Sequence, residues 1–270
     1  MTALNRLASL ERVRDWVGVT TNNDDLLLTR LVDEVSRFIL NYLQRPTLFQ
    51  YIFSDIYDGM GQCTQLLRHW PVQSVALVMV GSTIVPAASD MATSGFTLDA
   101  WDGLPPGRPQ AVTLRGYEFC RGQSNVNIVY TTGFVIKNEP QTVPASGTYS
   151  VAVNAPHGSF GADQGVSYAN GAPLVNVTGS PAQGQYTVSE GYYYFAVADA
   201  GASVQINYSY IPADIEHACM EIAAVRYRYK NRIGEVSKSL GGQETIAFSQ
   251  KDIPDFVRTL LQPYRRVIMV

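Results

Sequence analysis

Between residues 140 and 211 the chain carries no lysine and no arginine, and from about residue 71 onward Gly, Ser, Thr, Val and Tyr already dominate. Sixteen tyrosines and 22 glycines lean towards sheet and turns rather than helix. The two ends are unlike this middle. Residues 1–45 hold six basic and six acidic side chains with apolar groups at helical spacing, and from Pro212 charge and helical spacing return. Helix, then sheet, then helix predicts an α+β fold in which both chain ends form one helical domain and a β region is inserted between them. The expected division is residues 1–68 with 212–270 as a discontinuous helical domain, 69–136 as a first β module and 137–211 as a second.

The rest of the composition narrows the class. With 270 residues and 46% hydrophobic content the chain buries a proper core, while only 16% is charged, below the roughly 25% of ordinary globular chains. Twenty basic against 23 acidic residues give a net charge of −3, which argues against a protein built mainly to grip nucleic acid. Cys63, Cys120 and Cys219 are widely spaced, so a disulfide framework is not expected and a reducing compartment fits. No apolar run approaches the length of a membrane span, and no charged-then-apolar start reads as a signal peptide; a soluble cytosolic protein is expected.

Four helices are predicted. The first runs from Ser9 as N-cap to Val17, with Gly18 as its stop. The second is capped by Asn22 or Asn23, has Asp24 and Asp25 in its first turn, carries Leu28, Leu31, Val32, Val35, Phe38, Ile39 and Tyr42 on one stripe, and ends before Pro46. The third opens at Ile211-Pro212-Ala213-Asp214 and closes at Gly234, with Ile215, Cys219, Ile222, Tyr229 and Ile233 on its apolar face. A short fourth uses Asp252 as cap and stops at Pro263. Between the last two, residues 235–250 surround Gly241-Gly242 and read as a mobile arm or a long hairpin. Val236, Ser237, Lys238, Leu240, Thr245, Ile246 and Phe248 of that arm are the candidates for reaching a neighbouring subunit.

The middle of the chain repeats itself. Val80-Gly81-Ser82, Gly95-Phe96-Thr97-Leu98, Gly116-Tyr117-Glu118-Phe119 and Asn127-Ile128-Val129-Tyr130 follow one another in order. Later come Asn170-Gly171, Gln185-Tyr186-Thr187-Val188, the aromatic run from Gly191 to Phe195, and Gln205-Ile206-Asn207-Tyr208. The first copy is longer by about the length of the Pro/Gly-rich insert at 101–110. Two small β modules in tandem are the expectation.

Familiar catalytic patterns are missing. Asp58-Gly59-Met60-Gly61 lacks the lysine and strand–helix setting of a phosphate loop. His69, His157 and His217 lie far apart, and His217 and Cys219 fall on different faces of the third helix. Cys120 reads as a strand cysteine with no helix N-terminus to make it a nucleophile, and His157-Gly158-Ser159 reads as a turn. Tyr192, Tyr193, Tyr194 and Phe195 could form a sugar-stacking platform, but in a strand half of them face the core. Arg226, Arg228, Lys230 and Arg232 could face DNA, although cations at a helix end are more often a solvated, dipole-matched face. Tyr264, Arg265, Arg266, Val267, Ile268, Met269 and Val270 make an apolar chain end that either covers its own domain or inserts into a partner.

Taken in order, these pieces resemble the head–tail connector (adaptor, or head-completion) proteins of tailed bacteriophages. The similarity lies in the short first helix, Asn23-Asp24-Asp25-Leu26-Leu27, Tyr42-Leu43-Gln44-Arg45-Pro46, His69-Trp70-Pro71-Val72-Gln73-Ser74-Val75, the stretch 127–133, Ile211-Pro212-Ala213-Asp214-Ile215, the helix end at 227–234, and Leu261-Gln262-Pro263-Tyr264-Arg265-Arg266-Val267. About half the chain is covered; the second β module, roughly 137–210, is absent from compact members of the family. The resemblance implies a structural protein rather than an enzyme, with no cofactor and no membrane partner. It implies a dodecameric ring under the portal that extends the DNA channel after packaging and offers a surface to the next connector, stopper or tail protein. It further implies that residues 264–270 dock into the portal protein, that contact with DNA is transient and non-specific, and that the ring sits in the virion neck after assembly in the host bacterial cytoplasm. The alternative from the residues alone is a β-rich adhesin or carbohydrate-binding module on a helical anchor.

Overall fold

A computed structural model describes residues 6–90, 92–100, 107–230, 237–240, 244–247 and 253–266. The chain divides into two compact units. One combines Met1–Gln44 with Ala213–Arg265; the other is Arg45–Pro212, joined by Arg266.

The first unit is helical. Helix α1 (Leu10–Val17) starts where Ser9 Oγ accepts the Arg12 N–H at 3.3 Å, and it stops at Gly18, left-handed at φ 81°. Helix α2 (Asp25–Leu43) follows a single 3-10 turn over Asn22–Asp24 and buries Leu28, Val32, Val35, Ser36, Ile39 and Leu43 at three-four spacing. It closes earlier than its pattern predicts. Pro46 disfavours helical backbone at Arg45, so Gln44 takes the left-handed capping conformation at φ 57°.

Helix α3 (Ala213–Tyr229) also begins later than expected, because Ile211 and Pro212 end a strand instead. Helix α4 (Asp255–Leu261) runs on into a 3-10 turn over Gln262–Tyr264. Pro263 sits at the start of that turn, where a missing N–H costs little. Asp252, the expected cap, lies outside the described residues, and Pro254 occupies the N-cap position.

Helix α3 is the hub of this unit, packed on α1, α2 and α4. Ile215, Ala218, Cys219, Ile222 and Ala223 are buried there, each large apolar side chain contributing roughly 1.5–3 kcal/mol relative to exposure. Two polar side chains are buried with them, and each makes a hydrogen bond. Glu216 accepts from Arg12 at 2.6 Å, and Ser36 Oγ takes the Leu7 N–H at 3.0 Å. Burial pushes the Cys219 thiol up to about 12, so it behaves as a small apolar group.

The second unit is all β. Its first seven strands are β1 (Tyr51–Gly59), β2 (Thr64–Leu66), β3 (Val72–Val80), β4 (Thr83–Val85), β5 (Gly95–Leu98), β6 (Ala111–Arg115) and β7 (Gly122–Thr132). They form two sheets, ordered β1-β7-β3-β4 and β2-β6-β5, around a common core of Tyr57, Val78, Val112, Leu114, Phe119, Val126, Ile128 and Tyr130. Residues 45–68, counted with the helices from the sequence, carry β1 and β2 and belong here: β1 pairs with β7 and β2 with β6.

The next seven strands are β8 (Val135–Thr142), β9 (Ser150–Ala152), β10 (Gly158–Tyr168), β11 (Val175–Asn176), β12 (Gln185–Ser189), β13 (Tyr192–Phe195) and β14 (Ser203–Pro212). Their sheets are ordered β10-β14-β8 and β11-β12-β13-β9. Neighbour for neighbour, β8-β14-β10 follows β1-β7-β3, and β9-β13-β12 follows β2-β6-β5. Three of the four sequence matches fall on equivalent places in this order: the turns after β3 and β10, strands β5 and β12, and strands β7 and β14. The fourth does not. Gly116 to Phe119 lies in the loop after β6, whereas Tyr192–Phe195 is β13, whose counterpart in the order is β6.

Between α3 and α4, β15 (Ser237–Leu240) and β16 (Glu244–Ala247) pair antiparallel. Of the two readings open from the sequence, this is the hairpin.

Candidate functional site

The chain end begins inside its own helical unit. Tyr264 is 1% exposed, and its hydroxyl donates to Asp214 on α3 at 3.1 Å. The guanidinium of Arg265 lies 5.3 Å from the ring of Tyr42 on α2. Tyr264 therefore leaves the set of portal-docking candidates, because its ring is core. Arg266 remains half-buried, while Val267, Ile268, Met269 and Val270 lie outside the described residues.

The basic residues of α3 are not one open face. Arg226 stands over Phe38 at 5.2 Å, and Lys230 donates to Asp24 at 3.1 Å while lying 4.0 Å over the Tyr227 ring. Tyr227 also donates to Asp24, and that bond, with the Lys230 bond second, holds the Asp24 carboxyl below the usual carboxylate range. Phe38 and Asp24 sit on α2 and at its start, so Arg226 and Lys230 tie α3 to α2. Arg228 is exposed in the last turn, and Arg232 lies outside the described residues.

In the arm, Lys238 faces Ile246 and Leu240 faces Glu244 across the hairpin, with Ser237 opposite Ala247 and Ser239 opposite Thr245. Val236 and Phe248 lie outside the described residues.

Sequence reasoning missed the hydrogen-bonded acids of the β unit, of which Glu139 is buried and Asp55 and Asp163 are partly so. Asp55 on β1 accepts the Tyr130 hydroxyl at 2.6 Å and the Tyr57 hydroxyl at 3.1 Å. Glu139 on β8 accepts Tyr208 at 2.6 Å, the Asn154 N–H at 2.9 Å and Gln141 at 2.9 Å. Asp163 on β10 accepts Tyr186 at 2.6 Å, Tyr193 at 2.9 Å and Asn176 at 2.9 Å, joining its own sheet to strands of the other. Burial, then the adjoining carboxylate, raises the phenol pKa of Tyr186 and Tyr208, so these phenols stay protonated donors. Burial also drives His69, stacked 3.7 Å over Phe53, down to about 4, which leaves its imidazole neutral near pH 7. Acids held by phenol and amide donors, with a neutral, stacked histidine, form a scaffold. The available signal was the Ile-x-Tyr shared by Ile128-Val129-Tyr130 and Ile206-Asn207-Tyr208. Among the described residues no three His, Cys, Asp or Glu side chains are grouped to hold a metal ion, and no helix is long and apolar enough to cross a membrane.

The aromatic run follows strand alternation. Tyr193 and Phe195 are buried, while Tyr192 and Tyr194 are exposed on the other face of β13.

The family matches fall on the two ends of the chain. The family described as "Phage gp6-like head-tail connector protein" matches residues 7–69, which hold α1, α2, β1 and β2. The family described as "Head completion protein" matches residues 181–267, from β12 through α4. No curated protein matches the chain. A solved structure titled "Neck of empty GTA particle computed with C6 symmetry" is similar at 14% identity with a TM-score of 0.41, covering 100% of this chain and 95% of that one. Both families are of structural connector parts, and the two matches agree with the resemblance to the head–tail connector (adaptor, head-completion) proteins of tailed bacteriophages.

Proposed function

We propose that this chain is the adaptor that forms a closed ring under the portal, extends the DNA channel, and receives the next connector, stopper or tail component in the virion neck. The observation that carries the reading is the meeting of the two matched segments. The connector match brings α1 and α2, the head-completion match brings α3 and α4, and the four helices pack into one unit around α3. On this reading the protein is not an enzyme, and it touches DNA only transiently; the low charge suits a conduit along which DNA slides. The ring is a dodecamer, closed by side-by-side heterologous contacts.

Two segments serve assembly. The β15–β16 hairpin pairs with no other strand among the described residues, and a lone two-stranded hairpin is marginal in water, so it reaches a neighbouring subunit. The chain end beyond Arg265 docks on the portal. The fourteen strands of the β unit are two tandem modules of one design, supported by the matching strand orders and by the two Ile-x-Tyr strands. The second module extends the surface offered along the neck.

Deleting residues 236–248 tests the ring. The expected result is a folded monomer with an unchanged melt and a reduced yield of rings on co-expressed portal; an unchanged yield removes the hairpin from the assembly.

A further inference from the structure

The outer face of the first long sheet is largely aliphatic, and its one charged side chain on β1, Asp58, stands at the Gly59 end, where it accepts the Ser124 N–H. Register places its outward residues in three rows: Ile52, Thr131 and Ser74; Ser54, Val129 and Leu77; Ile56, Asn127, Met79 and Ile84. Ile52 is 66% and Ile84 65% exposed. The opposite side of the same sheet is the core, with Tyr57, Val78, Ile128 and Tyr130 buried. The equivalent face in the second set of strands is polar, with Gln205 between Pro140 and Ser167, and Asn207 accepting the Asn138 N–H at 2.8 Å. The fold therefore does not require the aliphatic face.

On the short sheets the pattern is reversed. The first short sheet turns out a threonine row, Thr64, Thr113 and Thr97, beside Arg115. In the second the matching rows are Ser150, Tyr194 and Thr187, then Ala152, Tyr192 and Ser189, with no charge. Tyr192 is 51% exposed, and Val175 on β11 is exposed on the same side. Each set of strands thus leaves one face with exposed large side chains, aliphatic on the first and tyrosine on the second.

We infer that the aliphatic face of β1-β7-β3-β4 in one copy of this chain seats against the tyrosine face of β9-β13-β12 in the next copy. The inference rests on the ring reading above. A chain that repeats side by side must supply both halves of each contact from its own surface, and the halves must differ. One face alone would call for an outside partner or for self-pairing; this chain carries an unlike pair. The paired rows of both faces hold no charged side chain, so no like charges meet across them. Tyrosine suits the aliphatic face, because its ring covers Ile and Leu while its hydroxyl can reach Ser54, Asn127 or Thr131.

The test uses the full chain with the exposed thiols removed (Cys63→Ser, Cys120→Ser), as two variants, Ile56→Cys and Tyr194→Cys, oxidised separately and mixed, with and without co-expressed portal. A disulfide that forms only in the mixture, between unlike variants, is the expected result. A disulfide within Ile56→Cys alone means self-pairing and overturns the inference. So does ring assembly with no cross-link. A second variant, Ile52→Lys with Ile84→Lys, should keep the monomer melt and weaken self-association about 100-fold, since an unpaired charge is then buried at the contact. Unchanged association overturns the inference while sparing the ring. If the unmutated chain does not associate even on portal, the ring reading fails first. Saccharide binding lost in Tyr194→Cys, with association intact, would give the tyrosine face a sugar as its occupant instead and also overturn the inference.

Discussion

Tyr208 on β14 donates its hydroxyl to Glu139 on β8 at 2.6 Å, along a diagonal that starts from the pair Ile206–Glu139. Tyr130 on β7 reaches Asp55 on β1 at 2.6 Å along the same diagonal, starting from Ile128–Asp55. In both places the carboxylate stands opposite the isoleucine of an Ile-x-Tyr strand, and the tyrosine two residues on bends back to it. Tyr208→Phe removes one donor from a buried acid that keeps its bonds from Asn154 and Gln141. A loss of about 1–3 kcal/mol is expected, read as a lower denaturant midpoint at constant slope. Tyr130→Phe should fall in the same range. A neutral Tyr208→Phe would show that the diagonal holds nothing together.

His69 sets a pH dependence. Burial, then the charge of Arg266, brings its pKa from the ordinary 6.5 to about 4, against the opposing pull of Asp55. The folded chain therefore keeps the imidazole neutral where the unfolded chain takes up a proton. Stability is full above about pH 6.5 and falls as pH drops towards 4, by up to about 3 kcal/mol. His69→Phe keeps the ring stack on Phe53 and should flatten this part of the profile. Chemical denaturation between pH 4 and 7 checks it; an equal slope in the variant assigns the effect to other groups.

Much of the helical unit was legible in the sequence, because its signals are local. Ser9 and Gly18 cap α1 as their residue types dictate, and the α2 stripe follows its spacing. The misses came from longer range. Ile211 and Pro212 read as a helix start, yet they finish β14 opposite Ser159 and Gly158. Residues 45–68 lie next to a helix in sequence, and only pairing with β6 and β7 shows where β1 and β2 belong. The repeat of Gly116 to Phe119 in the aromatic run matched letters without matching strands. The Ile-x-Tyr strands hinted at the tyrosines, but nothing local pointed to the acids at 55, 139 and 163, since their partners come from distant strands. Tyr264 looked like part of a free apolar end until Asp214, fifty residues upstream, was seen to hold its hydroxyl.

The amino-terminal helices should not stand alone. Helices α1 and α2 leave the stripe that meets α3 uncovered when α3 is missing, and a small fragment has little other core. Residues 1–68 expressed by themselves should give no cooperative melt. A sharp two-state transition in that fragment would contradict the packing on α3.

Two truncations separate core from docking segment. A chain ending at Pro263 loses the Tyr264 ring and its bond to Asp214, and should drop in stability by about 3–5 kcal/mol. A chain ending at Arg266 keeps both. It should melt like the full protein, yet fail to complete heads, leaving particles that leak DNA. Normal head completion by that chain would remove the last four residues from portal docking.

The most direct measurement is cryo-electron microscopy of the full chain mixed with the portal protein of the same virus. The account predicts a closed ring of this chain seated on the portal, with the helical units forming continuous density. Bare portal rings beside free monomer, at concentrations where both proteins are folded, would contradict it.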